Sequence, residues 1–218
     1  MAVHRLSLDI EEGSMVGLMG HNGSGKSTTL KMVLGFIKPS EGTVLTFGKG
    51  RPCLEQMGYL PENPRFPKFL TARSLMRYYG KLRQTSKTKN STPQLEDEIE
   101  RLIESVNLFA SIDHPISGFS KGMTQRLGIA QALLGSPKLL ILDEPMSGLD
   151  PMGRDRLRSI LSLIHRKHPE TTLLFTSHVY QDVEELCDKV VVLKSGELFY
   201  EGSAEQIPKG TFTEEYEA

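Results

Sequence analysis

The chain has 218 residues, 38% hydrophobic and 24% charged, enough for one large domain, or a domain with a subdomain, around a full core. Its 26 basic and 27 acidic side chains leave a formal net charge of -1, which supplies no basic field for nucleic acid. No apolar run approaches the roughly 20 residues that span a bilayer, no charged-then-apolar leader opens the chain, and the two cysteines, Cys53 and Cys187, make neither a disulfide framework nor a metal-ligand spacing. These features predict a protein of the cytosol, or one docked on the cytosolic side of another.

In chain order, the apolar run 15–19 (MVGLM) predicts a short buried strand leading directly into a glycine-rich loop. After the loop, Thr28, Leu30, Met32, Val33, Leu34 and Phe36 continue at helical spacing. The stretch 39–42 (PSEG) should end that helix, and 43–47 reads as a strand. Amphipathic helices are predicted over 70–82 and 97–108, with a polar, turn-rich surface loop over 84–94 (QTSKTKNSTPQ) between them. Strand patterns return at 139–142, 172–176 and 189–193, with a helix over 154–166 joining the first two. Strands alternating with helices predict an α/β fold with a mostly parallel sheet and a helical insertion.

Gly20, Gly25, Lys26 and Ser27 satisfy the pattern G-x-x-x-x-G-K-[ST], with a further glycine at Gly23. Glycines let the backbone curl so that successive N–H groups face phosphate oxygens, and the following helix adds its positive end. The loop Gly20, His21, Asn22, Gly23, Ser24, Gly25, Lys26, Ser27 and Thr28 is therefore the expected phosphate cradle of ATP. Lys26 should reach the β- and γ-phosphates, and the Ser27 hydroxyl should ligate Mg2+. A glycine turn that precedes a lysine by chance is the competing reading, and the strand before and helix after weigh against it.

The strand at 139–142 ends in Asp143 and Glu144. Alone this could be a solvated acidic turn. Beside a phosphate loop, Asp143 is placed to hold Mg2+ opposite Ser27, and Glu144 to orient or deprotonate the attacking water. His178 ends the next strand, which should lie beside the acidic-pair strand and bring the imidazole near the γ-phosphate.

Ser120-Lys121-Gly122-Met123, followed by Thr124-Gln125-Arg126-Leu127, stands upstream of Asp143, and Ser147-Gly148-Leu149-Asp150 follows Glu144. In this order the chain resembles the ATPase subunits of ABC transporters over nearly its whole length, through five separated motifs. The resemblance implies a P-loop NTPase fold with a mostly parallel sheet, a helical subdomain and a small antiparallel β portion. It divides the chain into a RecA-like core over 1–68 and 137–206, a helical subdomain over 69–136 and a tail over 207–218. Ser120, Lys121, Gly122 and Met123 take the place of the signature that holds the γ-phosphate bound on a partner subunit. Ser120 can also cap a helix. The implied active form is a head-to-tail dimer with a second ATPase subunit, a homodimer, with ATP and Mg2+ at the interface and Asp150 between the two sites.

Gly58-Tyr59-Leu60-Pro61-Glu62-Asn63 stands where the family often carries a glutamine loop that senses the γ-phosphate and touches the membrane subunit. Glu62 takes that position, with an implied role in coupling and in ligating Mg2+ or water, although its charge adds repulsion toward phosphate. The signature variant looks typical of the branch with ABC-2-type permeases, which implies peripheral placement on the cytoplasmic face of the membrane. Residues 20–23, 59–63, 70–73 and 130–135 together look like the ATPase of the copper-processing transporter that matures nitrous oxide reductase.

One departure concerns adenine. Family members carry an additional strand and a stacking aromatic well before the glycine loop, whereas 19 residues precede Gly20 here and none is aromatic. The chain reads as N-terminally short, beginning within the family's second strand. Losing a stacking partner costs roughly 1–3 kcal/mol by analogy with base–aromatic stacking. Two alternatives to a transport ATPase stay open: a soluble ABC ATPase without a transport role, and a nucleotide-binding regulatory module with little hydrolysis.

Overall fold

The computed structural model describes residues 3–83 and 92–207. Six strands form one sheet: β1 (Met15–Met19), β2 (Met57–Leu60), β3 (Leu139–Leu142), β4 (Thr172–Ser177), β5 (Lys189–Lys194) and β6 (Glu197–Gly202), in the order β2-β3-β4-β1-β5-β6. The first five strands in that order run parallel, and β6 closes the edge antiparallel to β5. Parallel strands covered on both faces need apolar side chains on both, so β1, β3 and the centre of β5 read as unbroken apolar runs. Exposed and half-buried residues alternate along β6, as expected of an edge strand.

Successive side chains of a strand point to opposite faces. Met15 and Met19 of β1, with Leu140, Leu142, Leu173, Phe175, Val190 and Val192, therefore build the larger core, while Val16 and Leu18, with Ile141, Leu174, Val191 and Leu193, build the smaller one. Helix α1 (Lys26–Val33) covers the smaller core through Leu30 and Leu34. The larger core is covered by α2 (Ala72–Arg83), α3 (Thr92–Ser105), α4 (Lys121–Leu133), α5 (Pro151–Lys167) and α6 (Tyr180–Glu184). Because β1, β2, β3 and β4 are parallel, their C-terminal ends share one edge of the sheet, where ligands bind in open α/β folds. Gly20, Glu62, Asp143 and His178 all follow those ends. Both cysteines are free, and no described helix is long and apolar enough to cross a membrane.

Several elements differ from the sequence expectation. Residues 43–47 form no strand: only Thr46 pairs, with Lys49, across a turn with positive φ at Phe47 (53°) and Gly48 (70°). The two backbone hydrogen bonds of this bridge, Thr46 N to Lys49 O at 2.9 Å and Lys49 N to Thr46 O at 3.0 Å, belong to that turn. Leu45 stays 63% exposed, so nothing rewards extending the pairing. Helix α1 stops before Phe36 because Gly35 adopts φ 73°, and Phe36 N bonds back to Lys31 O in a glycine-terminated cap. The two amphipathic helices fall at Ala72–Arg83 and Thr92–Ser105, the second beginning and ending earlier than its apolar pattern suggests. Of the polar stretch 84–94, the last three residues are helical and the rest lies outside the described residues, as does 208–218 of the tail.

Candidate functional site

The strand–loop–helix unit from β1 to α1 places the glycine loop at the sheet edge. Gly23 (φ 84°) and Gly25 (φ 106°) turn the loop through left-handed conformations, and Gly25 hands the chain to α1. A Cβ on Gly23 would meet nothing within 4 Å, so the loop is open at that position. Lys26, only 6% exposed, directs its ammonium back across the loop and donates to Gly20 O at 2.5 Å and His21 O at 3.2 Å. Ser27 is exposed, Thr28 half-buried and Ser24 buried, while the His21 ring lies 2.8 Å from Asn22 O.

The two acidic residues have different surroundings. Asp143 is buried, and its Oδ1 accepts from Thr176 Oγ1 at 2.8 Å. Burial pushes its carboxyl above the usual carboxylate range, and the charges of Glu144 and Glu62 push it further, while the Thr176 hydrogen bond and Lys26 oppose them. Glu144 lies 3.4 Å from Lys26 Nζ through Oε1, an atom buried without a hydrogen-bond partner. Its other oxygen, Oε2, is 2.9 Å from His178 Nδ1. The Glu144 backbone sits at φ 45°, an uncommon conformation for a side-chain-bearing residue. Its amide is held by Thr176 Oγ1 at 2.7 Å.

Thr176 is the residue that sequence reasoning missed. Fully buried at the end of β4, its hydroxyl accepts from the Glu144 amide and donates to the Asp143 carboxylate. A threonine in a β-strand carries no signal of its own; the pairing of β3 with β4 gives it this role.

Lys26, Asp143, Glu144 and His178 therefore converge, and Glu62 is close enough for its charge to act on Asp143. Burial, and then the Asp143 charge, also raise the phenol pKa of Tyr59, three residues before Glu62. The remaining predicted residues form a second grouping. Ser120 caps α4 by accepting from Met123 N at 3.2 Å, and Asp150 caps α5 by accepting from Gly153 N at 3.1 Å. Lys121 Nζ lies against Gly148, and Gly122 faces Leu149, so the start of α4 touches the turn that leads into α5.

This donor set fits a magnesium–nucleotide. An open glycine cradle, a buried lysine and the unpartnered Glu144 Oε1 suit a polyphosphate and a water beside it. Ser27 and Asp143 supply two oxygen donors, in keeping with a Mg2+ that draws its other ligands from phosphate and water. Among the described residues, no group of three or more His, Cys, Asp or Glu could hold a metal by itself.

A parallel sheet with a glycine loop after β1 and an acidic pair after its neighbour-but-one defines a P-loop nucleotide-binding domain. Residues 3–147 match the ABC transporter family, and the chain belongs to that family as an ABC ATPase domain. It is 39% identical over 206 residues to an ABC transporter ATP-binding protein of Bacillus subtilis, covering 94% of this chain and 67% of the relative. It is 37% identical over 205 residues to the bacitracin transport ATP-binding protein of Bacillus licheniformis, covering 92% and 64%. The chain spans 56% to 67% of the length of the first four such relatives. Among solved structures, a component of the ABC transporter complex cbiONQ from Clostridium perfringens superimposes with TM-score 0.83 at 26% identity, covering 94% of this chain and 83% of that one. A dimeric ATP-binding cassette bound to ADP and Pi shares the fold, with TM-score 0.81 at 22% identity over 93% of this chain and 90% of that one.

Proposed function

We propose that this chain is the ATP-binding and ATP-hydrolysing part of an ABC transporter, driving transport through a separate membrane subunit. The observation that carries the reading is Glu144. Its Oε1 is buried beside Lys26 without a hydrogen-bond partner, and its other oxygen is held by His178. When the terminal phosphates of ATP arrive, they replace Glu144 as the counter-charge of Lys26. The freed Oε1 accepts a proton from a water, whose oxygen bonds to the γ-phosphorus as the bond to the β–γ bridging oxygen breaks, releasing ADP and phosphate. Ser27 and Asp143, with Glu62 nearby, would hold Mg2+, which would supply positive charge to offset that of the phosphates.

Ser120 to Met123 then serve a partner's ATP across a head-to-tail homodimer, and Asp150 links the two sites. Capping α4 uses the Ser120 oxygen as an acceptor and leaves its hydroxyl proton to donate. Placement is peripheral, on the cytoplasmic face of the membrane, against an ABC-2-type permease. The finer reading, copper processing for nitrous oxide reductase, rests on the resemblance at residues 20–23, 59–63, 70–73 and 130–135. Two relatives are named for bacitracin transport, so antibiotic transport is its direct competitor.

Calorimetry with MgATP tests the site: Lys26→Ala should abolish measurable binding, and undiminished affinity would refute the phosphate-loop assignment. Co-purification of a polytopic membrane protein tests the transport role, and ATP turnover by the chain alone, with no such partner found, would favour a soluble ATPase.

A further inference from the structure

His178 stands between two residues that share one anchor. Val179 N donates to Ser177 Oγ at 3.0 Å, and Ser177 Oγ lies 3.3 Å from Asp182 Oδ2. The same carboxylate oxygen accepts from Arg154 Nη1 at 3.1 Å, while Arg158 Nη1 lies 3.6 Å from Oδ1. Asp182 is 1% exposed, on the short helix α6. Arg154 and Arg158 come from α5, whose N-cap is Asp150, and Arg154 N bonds to Asp150 O at 3.0 Å. A chain of polar contacts thus runs from the cap of α5 through Arg154, Asp182 and Ser177 to the backbone on both sides of the histidine that holds Glu144.

A carboxylate buried this deeply is costly unless it does something an apolar residue would not. Replacing a buried ion pair by packed apolar side chains is often neutral or stabilising. Burial pushes the Asp182 carboxyl up, and Arg154 and Arg158 act against that shift. The arrangement has the properties of a locator: it restrains the peptide units at 177–179 and ties them to α5.

We propose that Asp182 is a positioning residue for ATP hydrolysis, holding His178 in register with Glu144 and tying that register to the Asp150 end of α5. The proposal rests on the hydrolysis reading above. It acts through His178, so it makes two demands. Loss of Asp182 must lower turnover more than ATP affinity, and the loss must vanish when His178 is absent.

The test compares the full chain with Asp182→Asn, His178→Ala and the double variant, measuring steady-state ATPase and the imidazole NMR signal of His178, assigned by its disappearance in His178→Ala. The expected result is a fall in kcat of about tenfold, as for other outer partners of site ligands, with KM for ATP nearly unchanged and a shifted His178 signal. No additional loss should appear in the double variant. An unchanged kcat with an unmoved signal, or equal losses in both backgrounds, overturns the proposal. If Asp182→Asn does not fold, Ser177→Ala removes only the hydroxyl link and carries the same comparison. A wild-type chain that does not hydrolyse ATP, but whose His178 signal still moves in Asp182→Asn, would refute the hydrolysis reading and leave the positioning role standing.

Discussion

The Nδ1 of His178 lies 2.9 Å from Oε2 of Glu144, although 34 residues separate them. The contact exists because β3 and β4 pair in parallel, with Leu142 opposite Phe175, so the residues leaving the two strands meet at one edge. It holds one carboxylate oxygen of Glu144 and leaves the other facing Lys26.

Glu144→Gln keeps the shape of the side chain but cannot accept the water's proton. ATP affinity should be retained while turnover falls by a factor of about 10² to 10⁴, the usual range for a general base. Calorimetry and a steady-state assay on the same preparation check both halves, and unchanged turnover would remove Glu144 from the chemistry.

Thr176 makes a paired prediction. Thr176→Val preserves volume but leaves the half-buried Glu144 amide and the buried Asp143 carboxylate without their partner, at a cost of about 1–3 kcal/mol, and lowers kcat by loosening Asp143 and Glu144. Thr176→Ser retains the hydroxyl and should keep most of the activity. Urea denaturation and kcat distinguish the two; equal behaviour of the variants would deny the hydroxyl its role.

Asp143 should trade stability for function. Burial raises its native pKa above the ordinary carboxylate value, so the native state keeps this proton to higher pH than the unfolded chain does. The contribution of Asp143 to stability therefore falls as pH rises from the ordinary carboxylate range through its native pKa, and stays low above it. Asp143→Asn lacks this dependence and can still accept from Thr176. Its Tm should match wild type in acid and exceed it by a margin that grows as pH rises from the ordinary carboxylate range through the native pKa and is constant above it, while Mg2+-dependent ATPase is lost. A Tm difference independent of pH would contradict the assignment.

Gly58 lets β2 approach α4 closely: a Cβ there would lie 2.1 Å from the Ala132 carbonyl oxygen. Backbone cannot step aside as a flexible side chain does, so Gly58→Ala should destabilise the fold by roughly 1–3 kcal/mol. Thermal denaturation measures it, and wild-type stability would mean that the strand and helix separate freely.

Much of the fold was legible because its signals are local. The runs at β1, β3, β4 and β5 are apolar enough to mark buried strands, and the helix between β3 and β4 shows its period. β2 escaped because it is four residues long and contains Gly58, and becomes a strand only through its register with β3. Residues 43–47 misled in the opposite direction: their composition suits a strand, but pairing requires a neighbour, and only Thr46 has one. The α1 terminus turned on the left-handed backbone of Gly35, which apolar spacing does not report.

The candidate site divides in the same way. By itself the sequence determined the glycine-rich loop and the acidic pair as the candidate site, because a curled glycine backbone, a lysine and a carboxylate at a strand end depend on residues contiguous in the chain. It also carried the family membership that residues 3–147 bear out. Only the tertiary structure decided that Thr176 supports both Asp143 and Glu144, that Glu144 is shared between Lys26 and His178, and that Asp182 anchors the turn around His178. Those relationships depend on distances between residues far apart in the chain, set by parallel strand register and by burial, and neither is written in any single stretch of residues.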